Sequence, residues 1–482
     1  MSDDVFVGLD LGTSSLKGVA LTGKGRVVAA AQSGYETARP APGRAEQDPT
    51  EWLRALRDVV GELISRSDVG PVAGIGLTGM IPTLVVVDTD GVPIGPAITW
   101  EDDRAEEDGR ELRESVAPGE LYRLTGQWVD GRYLLPMWQW LRRHEPERAR
   151  RVARILGAKD FLCAWLTGAA VTDPSTATGF GCFDLRTGRW LADAAENVVS
   201  RLPDVVLSTA SFPMSVSAAI DLGLTRGVPV YVGAADSVSG AFGLGAARRG
   251  DCVSLWGTST AIVGVHDELT LDPEHRFLVT PLALGDGWGL EMDLVSTGSA
   301  FAWAARLLGL GHEGELLDAA GRSTLGAEGV RALPFLGHGE QGALWDPSLR
   351  GSIHGLTLAH RLEDVARAIV EAVALEHRRC IAVLDEAGIG VRQVIAAGGA
   401  TESDVLTAAL ADASSRAIAR VRTGASPSAL GAALIAASAA GVDLALCDIR
   451  GDRVDPDPST RDTWSRLSDE HDLLLSLMRE MV

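Results

Sequence analysis

The sequence predicts an α/β protein of two domains with a cleft between them. Three observations predict it. Strand-like and helix-like segments alternate along the chain. A theme of strand, glycine, acidic residue and small polar residues opens the chain and returns near its middle. And 482 residues are too many for one hydrophobic core. The expected boundary gives domains at 1–228 and 229–482, with the last helices packing back on the first domain.

Residues 5–21, 26–35 and 71–88 read as strands, being apolar, β-branched and punctuated by Gly or Asp-Gly. "DTDGVPIG" (88–95) is an Asp-Gly turn or hairpin signal. Helical patterns follow at 50–66, 102–116, 136–154 and 159–167. "VPVYVGAADSVSGAFGLGAA" (228–247) repeats the opening theme, and "DCVSLWGTSTAIVGV" (251–265) echoes it as strand, Gly-Thr-Ser, strand. This predicts an internal duplication. Residues 391–413 read as strand, Gly-Gly and helix, and 426–441 as a helix of small residues. The polar stretch 450–463 reads as a loop before an amphipathic helix at 464–481.

The net charge of −21 argues against nucleic acid or an anionic membrane as a partner. It leaves phosphate ligands open, because local amides and one metal ion outweigh distant carboxylates. Five cysteines (Cys163, Cys182, Cys252, Cys380 and Cys447) form no CxxC, which suggests neither zinc nor a disulfide framework. Buried, reduced thiols fit a cytoplasmic protein. The first residues lack the basic flank of a signal peptide, and no window reaches the ~20 apolar residues of a membrane span. Homodimerisation stays open.

The chemistry begins in "VFVGLDLGTSSLKGVAL" (5–21). A strand carrying Asp10, then Gly12, Thr13 and Ser14, then a second strand with Lys17, makes a tight hairpin. Its amides and hydroxyls suit phosphate oxygens. A buried Asp10 is costly alone, and a divalent metal removes that cost. The plainer reading is a β-turn with Asp as a local cap. Asp236, in "GAADSVSG" (233–240), sits at a strand-to-helix junction. There it is either a helix cap or a general base, and the residues alone leave both open. Gly257, Thr258 and Ser259 repeat the phosphate-turn chemistry. Two such turns facing across a cleft would clamp ATP. Residues 18–25 nearly spell a P-loop, but Gly25 has no hydroxyl for magnesium. "GHGEQG" (337–342) lacks the strand–helix frame of a dinucleotide fold.

Together these segments resemble the FGGY carbohydrate kinases of the actin/hexokinase-like (ribonuclease H-like) superfamily, and most nearly the xylulokinases. The opening hairpin is similar to the first phosphate motif. "YLLPMWQWLRRHEPE" (133–147) is similar to the first family signature through Pro136, Trp140 and His144, departing at Met137 where the family usually has Lys. "GSIHGLTLAHRLEDVARAIVE" (351–371) fits the second through Gly351, Gly355, Asp364, Ala368 and Glu371. "STGSAFAW" (296–303) and "AAGGATESDVL" (396–406) resemble the nucleotide segments.

The resemblance implies ATP and Mg²⁺ as cofactors and a role for each matching residue. Asp10 would position Mg²⁺. Gly12, Thr13, Ser14, Lys17, Gly257, Thr258 and Ser259 would meet phosphates, and Gly298, Gly398, Gly399 and Ser403 would line the nucleotide pocket. Asp236 would be the general base. Met80, Ile81, Trp100, Asp102, Arg104 and Asp236 would meet the sugar. The pattern breaks where xylulokinases carry Gln-Met-His: Met80, Ile81 and Pro82 stand there, and the histidine is gone. "GEQGALWDP" (339–347) also lacks their Arg-Thr-Pro.

"TWEDDRA" (99–105) keeps the Trp-x-Asp-x-Arg frame, with Trp100 placed to stack on a sugar. Trp138, Trp140, Trp165, Trp256 and Trp303 are expected in the core, and no histidine is assigned to a metal. The expected activity is ATP-dependent phosphorylation of a ketopentose such as D-xylulose. The alternatives are another acceptor (glycerol, a tetritol, ribulose or gluconate), an actin-like ATPase without sugar acceptor, and a sugar-binding protein that has lost catalysis.

Overall fold

A computed structural model describes the chain apart from residues 1–3, 67, 118, 194–197, 338–341, 347, 423, 443–450 and 482. Cys447 and part of the 337–347 segment therefore lie outside the described residues. The chain divides into two compact units. One comprises Met1–Gly245, Val279–Trp288 and Gly424–Asp448, the other Ala246–Leu278, Gly289–Thr423 and Ile449–Val482.

The first unit is built on strands β1 (Val5–Leu11), β2 (Ser15–Thr22), β3 (Val27–Gly34), β4 (Val72–Gly79), β5 (Ser211–Pro213) and β6 (Pro229–Ala235). Across the sheet they run β5–β6–β4–β1–β2–β3. β1 and β2 form the expected antiparallel hairpin, while β1, β4 and β6 run parallel. Alternation along a strand sends neighbouring side chains to opposite faces. Val5, Val7, Leu9 and Leu11 therefore share one face and join the core that includes Trp52, Leu56 and Val59 of the helix Pro49–Ile64. Phe6, Gly8 and Asp10 share the other.

That second face has a notch. Gly8 of β1 and Gly76 of β4 are paired across the sheet. The helix Pro427–Ala439 lies in the notch so closely that a Cβ on Gly8 would come 1.8 Å from Ala429 O, and one on Gly76 1.9 Å from Ala432 O. The same helix meets the helix Asp236–Gly243 with equal intimacy, a Cβ on Gly431 falling 1.8 Å from Ser239 O. Its small residues are the price of two close neighbours, not a sign of weak packing.

The second unit carries β7 (Asp251–Trp256), β8 (Thr260–His266), β9 (Trp288–Leu294, all but its first residue in this unit), β10 (Gln393–Gly398), β11 (Ala417–Val421) and β12 (Asp452–Val454). These run β9–β8–β7–β10–β11–β12. An antiparallel hairpin (β7, β8) is again followed on one side by two parallel strands and an antiparallel edge. The duplication expected from the chemistry is thus present as topology.

Several elements differ from the sequence expectation. The 71–88 strand is two: β4 ends at Gly79, and Thr83–Val87 belongs to a separate four-stranded sheet. The break falls at Met80–Ile81–Pro82, where proline cannot donate to a ladder. The helix expected at 102–116 begins only at Glu106, because Asp102 takes the amides of Ala45 and Arg104 and holds the chain in a turn. The 136–154 pattern breaks at Glu145, the residue before Pro146. Within 450–463, Asp452–Val454 is a strand rather than loop. Trp303 is not core: on the helix Gly298–Leu307 the inward positions are Ala300, Phe301, Ala304 and Ala305, which leaves the indole exposed. Trp165 is half-buried beneath the guanidinium of Arg57, whereas Trp138, Trp140 and Trp256 are buried.

The segment 351–371 serves the architecture of the second unit. Asp364 accepts from Ser323 Oγ (2.6 Å) and from the Arg361 amide (2.9 Å). Glu371 accepts from the Gly326 amide and pairs with Arg367. Among the described residues, no helix is long and apolar enough to cross a membrane.

Candidate active site

In the first unit the hairpin turn is closed by the Gly12 amide donating to Ser15 O at 3.1 Å. Its shape is held from beneath. The Tyr35 hydroxyl donates to Gly12 O, and Gln47 Nε2 donates to Thr13 O at 2.6 Å. Gln47 is itself oriented by Trp52 Nε1 at 2.9 Å. Thr13 Oγ1 accepts from Trp100 Nε1 at 3.1 Å, so the indole expected to face a sugar is also a strut for the turn. Ser14 is exposed at the tip.

Asp10 lies one strand position before the turn and is 4% exposed. Lys17 is its direct partner across the hairpin. Asp10 shares its face with Gly8, the face covered by the helix Pro427–Ala439, and this geometry brings Ser426 Oγ to donate to Asp10 Oδ2 at 2.8 Å. Burial pushes the Asp10 carboxyl above its ordinary range, against the pull of Lys17 and Ser426. The nearby phenol of Tyr35 is raised too, by burial and by Asp10.

Asp236 is the first residue of its helix, with Ala235 at the cap position, and its Oδ1 accepts from the Ser237 amide at 3.0 Å. The side chain is half-buried. Ser428 Oγ donates to Asp236 O at 3.0 Å. Ser426 and Ser428 flank one proline, so a single helix N-terminus holds the carboxylate of Asp10 and the backbone of Asp236. The structure therefore links Asp10, whose strand partner is Lys17, to Asp236 through two serines that the sequence did not single out. Their only sequence signal was Ser-Pro-Ser at the start of a small-residue helix.

Of the expected sugar contacts, Ile81 packs with Ala234, Ala235 and Val238 beside Asp236. Met80 is buried in the core, its amide bonded to Leu11 O. Asp102 and Arg104 form a tight pair: Arg104 Nε reaches Asp102 Oδ1 and Nη2 reaches Oδ2, each at 2.7 Å, and Nη2 also meets Glu46 at 2.7 Å. The guanidinium lies 5.0 Å over the Trp140 ring, on which His144 stacks at 4.7 Å. Arg104 Nη1 is buried with no hydrogen-bond partner among the described residues.

In the second unit three glycines converge on the β7–β8 turn. The Gly257 amide closes it on Ser259 O (2.8 Å). A Cβ on Gly298 would fall 2.2 Å from Gly257 O, and one on Gly398 (φ 123°) 1.9 Å from Trp256 O. Backbone alone fits at both positions. Thr258 is exposed, and its carbonyl accepts from the Ser299 amide at 2.9 Å. Gly398, the last residue of β10, and Gly399 after it are exposed, and Ser403 caps the helix Asp404–Ser414 through the Leu406 amide. The result is a bare backbone surface at the carboxyl ends of parallel strands, where open α/β sheets bind ligands.

Hydroxyl-lined turns at the strand ends of two topologically matched units, with a sunken carboxylate beside one of them, describe a two-domain α/β phosphotransferase. Comparison with known proteins makes this specific. The profile of the N-terminal domain of the FGGY family of carbohydrate kinases matches residues 5–243, and that of the C-terminal domain matches 252–440. The xylulose kinase of Escherichia coli is 30% identical over 92% of this chain and 92% of its own. The crystal structure of xylulose kinase from Rhodospirillum rubrum superposes with a TM-score of 0.91 at 30% identity, covering 98% of this chain and 99% of that one. Gluconate kinase from Lactobacillus acidophilus gives 0.92 at 25% identity, covering 99% and 98%. The chain belongs to the FGGY family of carbohydrate kinases and is an ATP-dependent sugar kinase.

Proposed function

We propose that the acceptor is a small polyol, a ketopentose such as D-xylulose, phosphorylated in line with Asp236 as general base. The observation that carries this reading is the Ser426–Pro427–Ser428 turn, which ties Asp10 and Asp236 to one rigid point. Phosphoryl transfer asks for positioning more than for covalent help. The Asp236 carboxylate takes the proton of the acceptor hydroxyl. That oxygen bonds to the terminal phosphorus of ATP as the bond to ADP breaks. The amides and hydroxyls of Gly12, Thr13 and Ser14, with Lys17, hold the phosphoryl oxygens, and Thr258 and Ser259 with Gly257 offer the equivalent turn. Gly298, Gly398, Gly399 and Ser403 take the nucleotide.

Among the described residues no three His, Cys, Asp or Glu side chains converge on a metal position. A single buried carboxylate beside a phosphate turn nevertheless fits Mg²⁺, which binds through one or two carboxylates plus substrate phosphates. Asp10 would hold it, and the ion would offset charge on the phosphoryl oxygens. The four described cysteines are buried, as thiols in a reducing, cytoplasmic setting commonly are.

A second acceptor class has its own support. Met80–Ile81–Pro82 lacks the histidine expected for a ketopentose, and Arg104 Nη1 is a buried donor with no partner among the described residues. An aldonate such as gluconate would bring a carboxylate to such a donor. The deciding experiment is a panel of ketopentoses, glycerol, tetritols and gluconate with ADP release as readout. The expected result is the highest kcat/KM for a ketopentose. ATP hydrolysis that no polyol stimulates would sink the kinase assignment of this site. Asp236→Asn should lower phosphorylation by about 10²-fold or more while nucleotide affinity stays near normal. A variant that keeps its rate would reduce Asp236 to a helix-start residue.

A further inference from the structure

Lysine is nearly absent from this chain: Lys17, Lys24 and Lys159 are three of 44 Lys+Arg, leaving 41 arginines. Lys159 is fully buried in the first turn of the helix Ala158–Thr167. Its ammonium lies 2.9 Å from Asp160 Oδ1 and 3.2 Å from Asp173 Oδ1, and both carboxylates are fully buried too. Replacing such a group by apolar residues is often neutral or stabilising, so stability is a poor reason for it.

Its connections lead to the active site. Asp173 Oδ2 accepts from the Ser175 amide (2.9 Å), from Ser175 Oγ, and from Ser208 Oγ (3.2 Å). Ser175 Oγ accepts in turn from the amide of Ala235 at 2.9 Å. Ala235 is the residue before Asp236. β6 needs this support, because β5 pairs only with residues 229–231. Beyond them, the Val232 and Gly233 amides go to the carbonyls of Ala210 and Ser208, and the Ala235 amide to a side-chain hydroxyl. From the opposite side Thr78 Oγ1 donates to Ala234 O at 2.7 Å. A carboxylate can only accept, so Asp173 fixes where the Ser175 hydroxyl sends its hydrogen and leaves its lone pair for Ala235. Lys159 supplies the opposite charge that a sealed carboxylate requires.

We propose that Lys159, Asp173 and Ser175 are positioning residues for phosphoryl transfer: they fix the Ser175 hydroxyl as acceptor for the Ala235 amide and so set the backbone from which Asp236 projects. This rests on Asp236 being the general base. Lys159→Met would strand two buried carboxylates and endanger folding, so Ser175 is the position to test. Ser175→Ala, Ser175→Thr, Asp236→Asn and the double variant Ser175→Ala/Asp236→Asn are compared in the full chain with its best acceptor. Ser175→Ala should lower kcat by roughly 10–100-fold, the scale of a small misplacement, with KM for ATP within about twofold. Ser175→Thr, which keeps the hydroxyl, should recover most of the rate.

In the Asp236→Asn background Ser175→Ala should cost less than about twofold, because a residue acting through another loses its effect when that other is gone. Equal losses in both backgrounds would overturn the proposal and leave Ser175 a purely structural residue. An Asp236→Asn variant that is inactive beside a Ser175→Ala variant of normal rate would overturn it alone. Normal rates in Asp236→Asn would overturn the general-base reading and this proposal with it.

Discussion

Asp10 shows what one residue contributes to and what it costs the ligand-free protein. Its carboxyl is buried, and burial raises its pKa above the ordinary 3.8. The folded state therefore binds a proton more tightly than the unfolded chain. The associated stability is fully present below the unfolded pKa and is lost as pH rises through the folded one. Asp10→Asn removes the charge while nearly keeping the shape. Without ligands it should melt at a higher temperature than the native chain near neutral pH, with the gap closing as pH falls toward 4, and its phosphorylation should be severely reduced. Melting curves across that range, followed by circular dichroism, check this. Equal melting at pH 8 would mean that Lys17 and Ser426 already offset the burial. Asp10 and Asp236 were legible in the sequence because an acid beside Gly-Thr-Ser, or at a strand-to-helix junction, is uncommon chemistry in a local pattern. Ser426 was not, since it meets Asp10 from 416 residues away. Nor was the Lys159 cluster, whose meaning lies in a hydrogen bond to the amide of Ala235.

Among the elements, the helix Pro427–Ala439 does most to shape the site. Its uniform run of small residues made the helix readable but hid which neighbours it serves. Only the structure shows that it fills the notch of Gly8 and Gly76 while its first turn holds Asp10 and Asp236. Gly8→Ala tests this, because a Cβ there would lie 1.8 Å from a helix carbonyl and neither backbone can yield cheaply. Overpacking of this kind costs about 1–3 kcal/mol or more. The displaced first turn should also lower kcat well beyond what the lost stability explains. Gly61 in the helix Pro49–Ile64 is the control, since a Cβ there meets nothing within 4 Å. Gly61→Ala should stabilise by roughly 0.5–1 kcal/mol and leave kcat unchanged. Denaturant titration and steady-state rates on both variants give the comparison. A Gly8→Ala enzyme with normal kcat would separate the helix from the chemistry. Three of the element boundaries missed in the sequence share one cause: at 80–82, 102–105 and 145–146 a proline or a side-chain hydrogen bond interrupts a periodic pattern that otherwise continues.

The whole molecule combines two units of matching topology with a net charge of −21, and both were visible in the sequence as a repeated motif and a composition. The charge bears on the substrates. ATP is a polyanion approaching an acidic protein, so the long-range field opposes it, while the phosphate turns proposed above, with Lys17 and Mg²⁺, would attract it at short range. Salt acts differently on these two. At about 0.01 M ionic strength the field reaches ~30 Å, and at about 0.15 M it reaches only ~8 Å. Screening therefore removes the distant repulsion first and leaves contacts inside the site largely intact. The kcat/KM for MgATP, measured with the acceptor saturating and magnesium held fixed, should rise a few-fold over that range. The same titration on the acceptor reports its charge without a structure: a neutral ketopentose should give a flat line, whereas an anionic aldonate should rise as MgATP does. A fall in the MgATP value with salt would mean that cations near the phosphate turns, and not the acidic surface, govern the approach of the nucleotide.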